Sequence, residues 1–156
     1  MNVGTRFVVA GMSLTAAGLV ALANFEGFRN EAYVPVPGDV PTIGFGSTAG
    51  VEIGDKISVS EALERLMRDV ENAESAIGQC VKVPLSQGEY DAYTSFIFNV
   101  GGNAFCASTL VKKLNAGDYP GACLELKRWV YVDGKVVHGL VKRRNMEFQM
   151  CMNKID

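Results

Sequence analysis

The chain has 156 residues, of which 48% are hydrophobic and 21% are charged. This size and balance predict one folded domain with a sizeable core and argue against general disorder, because disordered chains combine few apolar residues with a high net charge. The formal net charge of −2 offers no basic surface for nucleic acid, and the single histidine argues against a His-based metal site. We therefore expect no nucleic-acid partner and no metal.

The first apolar stretch, residues 7–25, carries no charge. Ala21-Leu22-Ala23 has the form of a signal-peptidase site, but cleavage there would remove the helix that leads to Glu26. A membrane anchor is the second interpretation, since 19 uncharged residues come close to the ~20 that span a bilayer, although glycines and polar residues weaken it. We favour a core helix, with residues 1–12 as a short extension. One helical face carries Leu14, Gly18, Ala21, Leu22, Phe25 and Phe28.

Two regions after this helix have different patterns. Residues 30–48 are rich in proline, glycine and β-branched side chains, which predicts a hairpin with its turn at Pro37-Gly38-Asp39. Later in the chain, Asp133-Gly134 predicts a tight turn and a second, smaller hairpin.

Capping boxes mark the start of two helices. Ser58 stands three residues before Glu61, and Ser86 stands three residues before Glu89, so each serine can cap the helix that follows. Apolar residues at helical spacing come after each box. The predicted helices run over about 58–78, 86–99, 107–114, 120–130 and 140–152.

These elements predict an α+β fold of a single domain, residues 1–156. A small β-hairpin lobe at about 30–57 would lie beside a larger helical lobe made of 13–29 and 58–156. We expect the active-site cleft between the two lobes, with Glu26 entering it from the junction.

A candidate catalytic set follows the first helix, with Glu26 at its end, Asp39 in the predicted turn and Thr42 after it. The acid in glycoside cleavage must stay protonated near neutral pH, and an apolar setting favours that form because burial disfavours charge. A second group must manage water or the sugar cation on the other face. Each residue also has a structural interpretation: Glu26 as a surface carboxylate, Asp39 as a turn former and Thr42 as a strand residue.

The four cysteines, Cys80, Cys106, Cys123 and Cys151, have no Cys-x-x-Cys spacing. Their even number suggests disulfides if the protein acts outside the cytosol, with three possible connectivities. Four buried thiols are the alternative, since free cysteine often lies in protein cores.

The segment from Glu26 to Thr48 resembles the active-site region of the phage-type lysozymes, the endolysin muramidases of glycoside hydrolase family 24. It shares with them Glu26-Gly27, Tyr33 seven residues after the glutamate, and Thr42 directly before Ile43-Gly44-Phe45-Gly46-Ser47-Thr48. The interval from glutamate to threonine is one residue longer than in the family, and Pro35 stands where the family has an acid or a cysteine. Asp39 is then the nearest acid before Thr42.

The resemblance continues downstream and covers roughly residues 14–151. The segments that carry it are Phe96–Gly101, Ser108–Leu110, Asn115–Asp118, Arg128-Trp129 and Gly139–Arg144.

The resemblance implies a lysozyme-like enzyme without a cofactor. It would hydrolyse the β-1,4 bond between N-acetylmuramic acid and N-acetylglucosamine in peptidoglycan during phage-driven lysis. Glu26 would protonate the leaving oxygen, while Asp39 with Thr42 would activate water in an inverting arrangement, which separates the carboxyls by ~6.5–9.5 Å. Tyr33 and Asn99 are candidate substrate-binding residues, with packing and helix capping as their structural alternatives.

Two rival functions stay open: a lytic transglycosylase that needs one acid, and a wall-binding protein with a dead site. The resemblance implies synthesis in the host bacterial cytoplasm and action in the periplasm as a monomer, with transient membrane contact through the N-terminus. Some family members carry cysteines at similar places, and the turn-rich path between the last two helices can bring their ends together. On these grounds we predict a Cys123–Cys151 bridge and a second bridge, Cys80–Cys106.

Overall fold

The computed structural model describes residues 4–154, and the predicted α+β class is confirmed. A 3-10 turn at Val9–Gly11 precedes the first helix, and another lies at Leu126–Arg128. The strands are β1 (Arg29–Tyr33), β2 (Thr42–Gly44), β3 (Tyr131–Val132) and β4 (Lys135–Val136). The helices are α1 (Ala16–Glu26), α2 (Val59–Cys80), α3 (Gln87–Val100), α4 (Gly102–Cys106), α5 (Thr109–Asn115), α6 (Tyr119–Glu125) and α7 (His138–Cys151).

The described residues fall into two compact units. Residues 4–18 and 72–154 form the helical unit, and Leu19–Glu71 form the hairpin unit. The hairpin unit extends beyond the lobe expected at 30–57, because it includes the end of α1 and the first half of α2. Within residues 4–154, no helix is both long enough and apolar enough to cross a membrane.

The helical unit is built around a cluster of buried aromatic rings. The ring centroids of Tyr93 and Phe105 lie 5.9 Å apart, and those of Phe96 and Phe105 lie 6.3 Å apart. All three side chains are completely buried. Aliphatic side chains complete the core, among them Ile77, Leu85, Leu110, Leu114 and Leu126.

Both predicted capping boxes are present. The backbone N–H of Ser58 donates to Glu61 Oε2 at 2.9 Å, and the N–H of Glu61 donates to Ser58 Oγ at 3.2 Å. Ser86 and Glu89 make the same reciprocal pair at 2.8 and 3.2 Å. Each box satisfies backbone donors that the first turn of a helix leaves unpaired, which explains why α2 and α3 begin directly after these serines.

The hairpin unit holds an antiparallel pair of strands. Arg29 of β1 stands opposite Gly44 of β2, Tyr33 stands opposite Thr42, and an irregularity lies between these two pairs. Gly44 has φ +63°, and a Cβ added to it would come within 2.9 Å of the Ala62 Cβ. Only glycine therefore lets β2 approach α2 this closely.

Four details of the sequence prediction were wrong. Leu14 does not share the face of the first helix, because α1 begins at Ala16. Phe28 does not share the face of the first helix, because Gly27 adopts φ +68° and ends α1 at Glu26; Phe28 is 39% exposed. The short helix α4 was not predicted. Its Gly102 packs so closely on α2 that an added Cβ would meet the Ala76 Cβ at 2.9 Å. The helix predicted at 120–130 ends at Glu125 and tightens into the second 3-10 turn.

The second hairpin, by contrast, is confirmed. Strands β3 and β4 pair antiparallel around Asp133 and Gly134, which both have positive φ.

Candidate active site

Glu26 is the last residue of α1, and the backbone on either side of it fixes its place. The N–H of Gly27 donates to the carbonyl oxygen of Ala23 at 2.9 Å and closes the final turn. Gly27 then enters the left-handed region, so that the chain leaves the helix at once and β1 starts two residues later. The side chain of Glu26 is half-buried.

The Ile43-Gly44-Phe45-Gly46-Ser47 segment forms a tight turn beside Glu26. Ile43 and Ser47 exchange two backbone hydrogen bonds of 2.9 and 3.0 Å, and Ser47 Oγ donates to Asp69 Oδ2 of α2 at 2.7 Å. At Gly46, where φ is +86°, an added Cβ would lie 2.9 Å from Glu26 Oε2. The missing side chain of Gly46 therefore leaves the space that the carboxylate occupies. The glycine pattern in the sequence does not by itself indicate this role for Gly46.

Thr42, the first residue of β2, is 6% exposed. Its hydroxyl donates to the carbonyl oxygen of Val40 at 3.2 Å. Because the hydroxyl proton is used in this way, the oxygen lone pairs remain as acceptors, and they can accept a hydrogen bond from a water molecule or a sugar hydroxyl. Tyr33 stands opposite Thr42 in the hairpin and is half-buried, with the Arg29 guanidinium 5.0 Å from its ring centroid.

Asp39 lies in the loop between β1 and β2 and is exposed. Its Oδ1 accepts a hydrogen bond from the N–H of Val40 at 2.9 Å, and its own N–H donates to the carbonyl oxygen of Val36 at 3.0 Å. These contacts are those of a turn residue. They also hold the Asp39 carboxylate next to Val40, the residue whose carbonyl binds Thr42.

Asn99 lies in the helical unit, near the end of α3. Its side chain is exposed, and its Oδ1 accepts a hydrogen bond of 2.6 Å from Nη2 of the completely buried Arg144. The Glu147 carboxylate makes ion pairs with Nε of Arg143 at 3.2 Å and with Nε of Arg144 at 3.0 Å. Ser95 Oγ donates a hydrogen bond to Glu147 Oε1 at 2.7 Å. Burial raises the pKa of the Glu147 carboxyl, and the two arginines oppose that rise. The sequence places Arg143 and Arg144 four and three residues before Glu147, a spacing that allows ion pairs along one helix. The links to Ser95 and Asn99 have no such local signal.

The four cysteines occur in the two predicted pairs. Cys80 is joined to Cys106 and Cys123 to Cys151, with Cα–Cα distances of 5.6 and 5.7 Å. Both bridges lie within the helical unit, where the first links the end of α2 to α4 and the second links α6 to α7.

The arrangement of elements defines a class of protein. A solved structure titled "Endolysin from Escherichia coli O157:H7 phage FAHEc1" superposes with a TM-score of 0.83, at 34% identity, over 97% of this chain and 98% of that chain. The solved structure of a P22 lysozyme mutant superposes with a TM-score of 0.79, at 33% identity, over 90% of this chain and 99% of that chain. The fold is therefore lysozyme-like.

The family follows from the sequence comparisons. Residues 23–147 match the family model for phage lysozyme. An endolysin from Acyrthosiphon pisum secondary endosymbiont phage 1 is 41% identical over 140 residues, which cover 87% of this chain and 95% of that protein. A SAR-endolysin from Pseudomonas phage phiKMV is 38% identical over 147 residues, which cover 92% of this chain and 89% of that protein. The chain belongs to the phage lysozyme family. It is a lysozyme-type glycoside hydrolase that acts on peptidoglycan.

Proposed function

We propose that the enzyme hydrolyses the β-1,4 bond between N-acetylmuramic acid and N-acetylglucosamine, with Glu26 as the general acid. The observation that carries the proposal is the position of the Glu26 carboxylate, held at the end of α1 with Oε2 against Gly46. The end of α1 fixes the backbone of Glu26 and one carboxylate oxygen lies against Gly46, so the side chain needs only a small adjustment to deliver its proton to the leaving glycosidic oxygen.

Thr42 and Asp39 are proposed to act on the water that attacks the sugar. The Thr42 hydroxyl donates to Val40 and so offers its lone pairs to that water, which orients the water oxygen for attack. Asp39 would accept the proton that the water gives up, through the carboxylate oxygen that does not bind the Val40 N–H. Attack from the face opposite the leaving group would invert the anomeric centre.

A lytic transglycosylase is the second candidate, and one observation favours it. Asp39 already serves the turn through Oδ1 and is exposed, as expected of a residue without a catalytic task. If Asp39 has only that task, Glu26 is the single acid, and the 6-hydroxyl of the muramic acid can replace water as the attacking group. The products of the two reactions differ by one water molecule.

We further propose that the enzyme is made in the host bacterial cytoplasm and acts in the periplasm as a monomer, in transient contact with the membrane through its N-terminus. The two disulfides support an oxidising site of action, since disulfides persist there and are rare in the cytosol. Trapping of the free thiols during a lysis time course tests whether the enzyme acts in the periplasm. Bridges present only in the exported fraction agree with it, and bridges already complete in the cytosol contradict it.

The role of Glu26 is tested with Glu26→Gln, which keeps the shape of the side chain and removes the proton. We expect at least a ~10²-fold loss of peptidoglycan hydrolysis, the usual scale for general acid catalysis. Glu31→Gln is the matched control, because Glu31 is an exposed glutamate of the same hairpin, and its ion pair is with the exposed Lys56. Near-normal lysis by Glu26→Gln would remove the assignment.

A further inference from the structure

The turn that carries Gly46 is closed by its own backbone. Ile43 and Ser47 exchange two hydrogen bonds and leave three residues between them as the loop of the turn. Both bonds are internal, so they fix the shape of the turn but not its position in the hairpin unit. That position matters because Gly46 faces Oε2 of Glu26.

Apolar contacts attach this turn to its neighbours. Gly44 packs against Ala62 of α2, and the ring centroid of Phe45 lies 5.4 Å from that of Phe28. Such contacts limit how closely the turn can approach α2 and the start of β1. They orient it weakly, because the association of apolar groups has little directional character.

The contact made by Ser47 is polar and directional. Its Oγ donates to Oδ2 of Asp69, 22 residues further along the chain, at 2.7 Å. A hydrogen bond to a carboxylate is stronger than one between neutral groups, and Ser47 is only 3% exposed, so water competes little for its hydroxyl. The hydrogen bond between Ser47 and Asp69 therefore sets how the turn lies on α2.

We propose that Ser47 and Asp69 are positioning residues, which hold the turn so that Gly46 fits against the Glu26 carboxyl and keeps it aligned with the leaving oxygen. The inference rests on the proposed function, since it needs Glu26 to be the acid. Without the hydrogen bond the turn can shift by a fraction of an ångström, and small displacements of a catalytic group lower the rate. The effect falls on the chemical step, because the two residues act through Glu26 and not on the glycan.

Steady-state kinetics on soluble glycan strands of peptidoglycan measure this effect. Ser47→Ala removes the donor and adds no bulk to the buried site. We expect kcat to fall about tenfold, which is ~1.4 kcal/mol of barrier, while KM stays within about twofold. Asp69→Asn should lose less, because an amide oxygen still accepts from Ser47 but carries no charge.

Ser58→Ala is the matched control in the same unit. Ser58 Oγ also donates to a carboxylate of α2, Oε2 of Glu61, at 2.8 Å, and it caps that helix. The substitution should lower the Tm as the loss of a helix cap does and leave kcat unchanged. A comparable fall of kcat in Ser58→Ala would trace both losses to weakened folding and overturn the proposal.

A double-mutant cycle with Glu26→Gln separates positioning from a merely structural role. Once the acidic proton is gone, the exact place of this side chain no longer limits the rate. Ser47→Ala should therefore hardly lower the residual kcat of Glu26→Gln. The same loss in both backgrounds would overturn the proposal, and so would a Ser47→Ala enzyme with unchanged kcat or with a loss confined to KM.

The same cycle with Asp69→Asn decides the question if Ser47→Ala does not fold. The proposed function fails in a different way: Glu26→Gln would then keep near-normal activity, whatever the effect of Ser47→Ala.

Discussion

Gly46→Ala tests the geometry around Glu26, because it alters the space for the carboxylate and removes no titratable group. The added Cβ would stand 2.9 Å from Glu26 Oε2, whereas unstrained contacts of this kind are ~3.5 Å or more. The carboxylate lies at the end of a flexible side chain, so it should move by ~0.6 Å or more while the fold persists. A misplacement approaching ~1 Å lowers catalytic rates up to ~10²-fold, so we expect activity to fall ~10- to 100-fold.

Gly50→Ala is the matched control for this prediction. Gly46 and Gly50 both have positive φ, +86° and +66°, so both substitutions introduce left-handed strain of ~1–2 kcal/mol. A Cβ on Gly50 meets nothing within 4 Å. Both variants should therefore lose a similar ~2–8 °C in Tm, measured by scanning calorimetry, and only Gly46→Ala should lose activity in a turbidity assay on permeabilised cells. Equal activity in the two variants would refute the proposed place of the Glu26 carboxylate.

Three further predictions concern the water, the disulfides and an ion pair. Asp39→Asn can still accept from the Val40 N–H, so the turn should persist; if Asp39 activates water, turnover collapses while chitooligosaccharide binding persists. Turnover within about threefold, or ~0.65 kcal/mol, would leave the water to Thr42 alone. The disulfides close loops with sequence separations of 26 and 28, so each should contribute ~3–4 kcal/mol, and reducing agent should lower the Tm; an unchanged Tm contradicts this. The hydrogen bond from Lys113 lowers the pKa of the Glu125 carboxyl in the folded protein. The ion pair therefore stabilises the fold fully at pH values above the ordinary glutamate pKa, and this contribution is lost as the pH falls through the lowered pKa of the folded state. Glu125→Gln should therefore cost ~0.2–1 kcal/mol in urea unfolding at neutral pH and nothing at strongly acidic pH, and an equal cost at both would count against the pair.

Features set by a few neighbouring residues could be predicted from the sequence. The capping boxes at Ser58 and Ser86 are complete within four residues, so the starts of α2 and α3 followed directly. The turn at Asp133-Gly134 is likewise local, since both residues tolerate positive φ. The α+β class followed from the order of these elements.

Features that depend on distant parts of the chain could not be predicted. Helix α4 begins at the second of two adjacent glycines, which in sequence indicate a break, and only its packing against Ala76 shows why Gly102 is there. The approach of Gly46 to Glu26 joins residues 20 positions apart. The contact between Arg144 and Asn99 joins residues 45 positions apart, and no local pattern indicates it.

The central claim is that Glu26 acts as the acid in hydrolysis of the muramic acid–glucosamine bond, and mass analysis of the sugars released from purified peptidoglycan tests it most directly. The wild-type enzyme should release fragments that end in a reducing N-acetylmuramic acid and carry one added water. Glu26→Gln should release at least ~10²-fold less, and Glu31→Gln should match the wild type. Fragments that end in an anhydro sugar, or equal release by Glu26→Gln, would contradict the claim.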